Sequence, residues 1–157
     1  MGKRSVKENK TVYQQAREEI GMTRAAAEDA TDGLLTESRI EKIESGALNA
    51  HPDDVLLMAQ AYNKPELCNY FCTKECQIGK KYVPEVKTVH GLPQITMELL
   101  SKLNSLNRSK DRIIDITADG KITDDEKEDF EAFKQHLDEM ALSIQALKLW
   151  AEKRSTP

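Results

Sequence analysis

Apolar positions in this chain fall into two styles. Up to Tyr62 they come in short groups at helical spacing, separated by turn residues. Tyr13, Ala16 and Ile20 share one face of a first helix, from about Thr11 to Ile20. Thr11 is placed to cap it and Gly21 to end it. A second helix, from about Thr23 to Ala30, carries Ala25, Ala26, Ala27 and Ala30, small enough for another helix to approach closely. Asp32-Gly33 breaks the chain into a turn. The third helix starts near Thr36, ends at Ser45 and stops at Gly46. Leu35, Ile40 and Ile43 are its core residues, and Ser38, Arg39 and Lys42 fall on other faces. Pro52 opens a fourth helix, with Asp53 and Asp54 at the positive end of its dipole. Val55, Met58, Ala59 and Tyr62 make its buried stripe, and Pro65 opens a short fifth helix.

Beyond Pro93 the spacing lengthens. Leu99, Leu103, Leu106 and Ile113 mark one long helix. Phe130, Phe133, Leu137, Met140, Ile144 and Leu147 then repeat in three-four alternation, a heptad seam. Between them ADGKIT is a turn, and Thr123 with Glu126 forms a capping box ahead of the second helix. The pattern predicts an all-α protein: a basic flexible arm over 1–10, a five-helix domain over 11–78, a linker or ordered arm over 79–93, and an antiparallel helical hairpin over 94–154. A lone hairpin buries one seam per helix. Pairing two copies into a four-helix bundle shelters more apolar surface, so the heptad residues are assigned to dimerisation.

Composition narrows the function. Of 157 residues, 32% are charged and 5% aromatic, and the net charge is −4. A uniformly basic nucleic-acid binder is excluded, so any DNA contact must use a local basic patch. No apolar run approaches the roughly 18 to 20 residues that span a bilayer. The basic start, MGKRSVKENK, is not followed by an apolar segment, so a secretory signal is not expected. The expected location is the cytoplasm, and the three cysteines are expected as thiols.

A short small-residue helix, a turn, and a second short helix stopped by glycine is the pattern of a helix-turn-helix, whose second helix enters the DNA major groove. Thr23-Arg24, the run Ile40-Glu41-Lys42-Ile43-Glu44-Ser45-Gly46 and the Pro52-to-Val55 helix start carry a further likeness. Through them residues 11–63 resemble the xenobiotic-response-element type of helix-turn-helix, the group containing the lambda repressor and Cro. The resemblance implies a compact bundle of about five helices, commonly dimeric, that acts on transcription. It places Thr36, Glu37, Ser38 and then Glu41 or Lys42 at base-facing positions. It brings Arg24 to a phosphate or base edge, and Arg39 and Lys42 to guanine edges or phosphates. The arm, with Lys7 and Lys10, would track the backbone or enter the minor groove. The implied mechanism is operator occupancy by a dimer, with two recognition helices roughly 34 Å apart in successive major grooves. The hairpin also looks like the tails of such regulators in bacteria and mobile elements.

Two features depart from that pattern. The turn ATDGLL is about two residues longer than usual, and Glu37 and Glu41 face phosphates unfavourably. The competing class is a protein-interaction module, antitoxin-like or an anti-regulator, which the acidic total favours.

Cys68, Cys72 and Cys76, four apart, fall near one helical face. Three thiolates with His51 or His90 would suit zinc; the alternatives are a redox pair or plain core thiols. Asp115 to Glu126 imitates a calcium loop, with Asp115, Asp119 and Glu126 at ligand positions. Thr117 at its third position is a poor ligand, and a turn glycine plus a capping box explains the same residues. No phosphate loop, dinucleotide fingerprint or His-Glu metalloprotease motif is present, so neither an enzyme nor a cofactor is expected.

Overall fold

The computed structural model describes residues 10–155. Among these every regular element is helical. The elements are α1 (Val12–Glu19), α2 (Arg24–Ala30), α3 (Glu37–Glu44), α4 (Pro52–Ala61), α5 (Glu66–Tyr70), α6 (Gly79–Tyr82), α7 (Leu92–Thr117) and α8 (Lys127–Ser155). The chain divides into two compact units, Met1–Val83 with Glu152–Pro157, and Pro84–Ala151.

In the first unit, threonines start three of the helices. Thr11, Thr23 and Thr36 each accept a hydrogen bond from the backbone N–H three residues on, satisfying a donor that the helix cannot. Tyr13, Ala16, Ala27, Leu35, Ile40, Ile43, Val55, Met58, Ala59, Tyr62 and Leu67 form one core cluster. Ala27 is fully buried, which is what the alanine-rich α2 allows at its contact with α3. α5 runs into a π-helical turn, Phe71–Glu75, closed by Cys76 N–H donating to the Phe71 carbonyl at 2.9 Å. Part of the stretch read as linker is helical, because α6 folds back onto that turn. The approach requires glycine: a Cβ on Gly79 would lie 2.2 Å from the Cys72 carbonyl oxygen.

The second unit is built on the α7/α8 hairpin. Two ion pairs, Lys102 with Glu139 and Arg112 with Asp129, set its antiparallel register: ten residues up α7 is ten residues down α8. Ile95 and Ile116 are fully buried near the two ends of α7. The capping box is half formed. The Glu126 carboxylate accepts from the Thr123 N–H at 3.0 Å and from its hydroxyl at 2.6 Å, so the Thr123 side chain donates instead of capping. Glu85, Val86, Lys87, Thr88 and His90 line a cleft of about 500 Å³ with Glu98, Lys102, Glu139, Leu142, Ser143 and Ala146.

The heptad residues divide into two rows. Phe133, Met140 and Leu147 are half-buried, with Ser143 and Ala146 buried beside them. In the other row Leu137 and Ile144 are exposed, at 43% and 39%, while Phe130 is half-buried. The physical reason is the third layer. Residues 85–90 add a neighbour on one side, and the buried stripe of α8 turns toward Ser143 and Ala146 to meet it.

Candidate nucleic-acid interface

The candidate site is the outer face of α3 with the turn that precedes it. The turn begins as a helix stop. Asp32 N–H donates to Asp29 O and Gly33 N–H to Glu28 O, at 3.1 and 2.9 Å. This pair of hydrogen bonds requires the left-handed backbone found at Asp32 (φ 52°) and Gly33 (φ 74°). The Thr31 hydroxyl donates back to Ala27 O and Glu28 O and accepts from Leu35 N–H. These bonds occupy the extra residues of the turn and drop Leu35 into the core, where it is 1% exposed. The Glu28 carboxylate then accepts the Glu37 N–H at 2.8 Å, tying α2 to the positive end of α3.

Ile40 and Ile43 anchor the inner face of α3. Glu37, Ser38, Glu41, Lys42 and Ser45 stay exposed, as does Thr36 at the cap. Two ion-pair sets fix the helix about its axis. Glu44 is buried and holds two arginines. Arg17 meets it through two N–H groups at 2.6 and 2.8 Å, and Arg24 through Nε at 2.8 Å. Arg17 also donates to the Met22 carbonyl at 2.6 Å. The hydrogen bond to Glu44 raises the Arg17 pKa despite burial, which opposes it. At the other end of α3, Arg39 makes a bidentate pair with Asp54 at 2.6 and 2.8 Å. Asp54 also accepts the His51 N–H at 2.8 Å, completing the start of α4. Burial pushes the Asp54 carboxyl up, but Arg39 and the His51 N–H outweigh it and hold the pKa below its ordinary value.

Both arginines expected to touch DNA are therefore engaged inside the protein. Arg24 sits on Glu44, with Glu41 a further 3.7 Å contact, and Arg39 sits on Asp54. Their side chains keep 30% and 41% exposure, so each guanidinium still reaches the surface. The outward charges of α3 are Glu37, Glu41 and Lys42. Of the expected arm, Lys7 lies outside the described residues, and Lys10 pairs with Glu18 at 2.7 Å. That bond is the main cause of a lowered Glu18 pKa.

Arg17 was missing from the sequence expectations. Its signal was position: it follows Ala16 and lies one turn from Tyr13, on the apolar side of α1. A charge there needs a buried counter-charge, and Glu44 beside Ile43 is the matching anomaly.

The other candidates carry little chemistry. Cys68, Cys72 and Cys76 are free thiols, each half-buried. Burial is the main cause of raised pKa at Cys68 and Cys72, the opposite of what an activated thiolate needs. In the calcium-like loop, Glu126 is spent on Thr123, and Asp119 accepts the Lys121 N–H. Among the described residues no group of three His, Cys, Asp or Glu side chains is arranged to hold a metal ion. None of these helices is long and apolar enough to cross a membrane. No family model, curated protein or solved structure matches the chain.

Proposed function

We propose that the chain is a sequence-specific DNA-binding regulator of transcription, working as a dimer on a pseudo-palindromic operator. The observation that carries this reading is a short helix held rigidly with its polar face outward. α3 is anchored below by Ile40 and Ile43, at its start by Glu28, and along its length by the Glu44 and Arg39–Asp54 pairs. Such a helix suits the major groove. The likeness to the xenobiotic-response-element group points the same way. In this reading Thr36, Ser38 and Lys42 face bases and phosphates, while Arg24 and Arg39 position α3 and present their outer edges to the backbone. Glu37 or Glu41 has a use only opposite a cytosine amino group.

The test is selection from a randomised duplex library, followed by fluorescence anisotropy on the enriched fragments. Wild type is expected to bind with steep salt dependence. Ser38→Glu with Lys42→Glu is expected to weaken binding at least tenfold with an unchanged unfolding curve. Arg39 is left alone, since changing it also breaks the Asp54 pair. No salt-sensitive binding by wild type, or equal binding by the double variant, sinks the reading.

A second reading rests on charge. With Arg39 paired, α3 presents Glu37 and Glu41 against Lys42, a face suited to a basic protein partner. Failure of the DNA selection would favour it.

A further inference from the structure

We infer that the hairpin carries a self-pairing face made of Leu137 and Ile144 on α8 and a matching stripe of α7, and that its occupant is the same face of a second copy. This deepens the dimeric reading above by naming the surface. It moves that surface away from Phe133, Met140 and Leu147, which the chain uses for its own packing.

On α8, Leu137 and Ile144 are 43% and 39% exposed. At about 100° per residue they stand roughly a quarter-turn from the buried line through Met140 and Ser143. On α7, Leu92, Leu100, Leu103 and Ile114 are 39%, 48%, 45% and 57% exposed. They stand about 60° to 140° from the line through buried Ile95 and half-buried Lys102 and Leu106. Both offsets run in the direction of advancing residue number. In two right-handed helices lying antiparallel, that brings both stripes to the same side of the hairpin.

The register given by Lys102–Glu139 and Arg112–Asp129 sets Leu137 level with Asn104, and Ile144 level with Met97. Leu100, Leu103, Leu137 and Ile144 thus lie within about 10 Å along the axis. Residues 85–90 line a cleft with Leu142, Ser143 and Ala146, on the other side of α8, and leave this face open.

Area and charge favour a second copy as the occupant. Six half-exposed aliphatic side chains amount to on the order of 450 Å² of apolar surface, the size of the largest, often functional, patch on a typical monomer. Two such faces supply about 900 Å². At the two-thirds apolar share of homodimer interfaces, that implies a total near 1,400 Å², within the roughly 1,200–2,000 Å² of stable complexes. A twofold axis brings central residues close to their own copies, so a charged centre would repel itself. Here the neighbours of the central four on that side are Thr96, Asn107 and Ala141, all uncharged, and Lys134, whose charge is met within its own helix by Glu131 at 2.9 Å. Lys110 and Lys148, which the spacing also puts on this side, lie toward the two ends.

The test is sedimentation equilibrium of the full chain without DNA, so that its failure is separable from failure of the DNA reading. Wild type is expected to be a dimer at micromolar concentration. Leu103→Glu with Leu137→Glu is expected to be a monomer of unchanged helicity by circular dichroism. Leu103→Gln with Ile144→Gln, which adds no charge, is expected to raise the dimer Kd at least tenfold. Met140→Glu, in the inward row, is expected to lose helicity instead. A monomeric wild type, a dimer indifferent to both paired variants, or loss of helicity in the outward-face variants as in Met140→Glu would overturn the inference.

Discussion

The Glu44 carboxylate joins three helices of the first unit. It is 3% exposed and accepts hydrogen bonds from two arginines on two other helices. Replacing Glu44 with Gln leaves the buried Arg17 without an anion. Breaking one side of a buried pair costs about 3–5 kcal/mol, whereas an exposed pair contributes about 0–1 kcal/mol. Glu44→Gln should therefore lower the urea midpoint by the equivalent of about 3–5 kcal/mol, while Glu41→Gln, at the 3.7 Å contact to Arg24, should leave it almost unchanged. Equal effects would show that Glu44 is not the hub. Sequence spacing gave Glu44 a place on α3 but no partner. Arg17 lies 27 positions earlier in the chain, and only folding brings the two together.

At the scale of elements, the tie between α3 and α4 is a pH-dependent one. Asp54 has a lowered pKa, so its contribution to stability is complete above the ordinary carboxyl range, near 4. It is lost as pH falls through the folded-state value, because the protonated acid no longer holds Arg39. Urea midpoints measured between about pH 6 and pH 2 should fall more steeply for wild type than for Asp54→Asn. The two curves should converge at the acidic end. Parallel curves would mean that Asp54 does not couple the helices. The helices themselves were legible in the sequence, because capping threonines and three-four spacing act within one turn. α6 was not: its four residues show no period, and what places it is the backbone of Gly79 against Cys72. The heptad seam of α8 was half legible. Spacing gave both rows, and the neighbours of α8 decided that Met140 faces in and Leu137 out.

For the molecule as a whole, a net charge of −4 means that, on the proposed reading, attraction to DNA would come from a few placed cations. Lys42 is one. Lys3, Arg4 and Lys7 are the others expected to act, since Lys10 already holds Glu18. Each phosphate neutralised adds about 0.9 to the slope of log affinity against log salt. Removing residues 1–9 should therefore lower that slope by about 3 on a selected duplex, with little change in which sequence is preferred. An unchanged slope would take the arm off the phosphate backbone.

Sequence alone determined the helical class, the caps and stops of α1 to α3, the start of α4, the apolar stripes and the presence of a long hairpin. These follow from interactions between residues within a turn or two of each other. Tertiary structure decided which arginines are spent on carboxylates, which heptad row is inside and how the long turn before α3 is absorbed. Those depend on partners distant in the chain, and on the cost of leaving a buried charge or a backbone N–H without one.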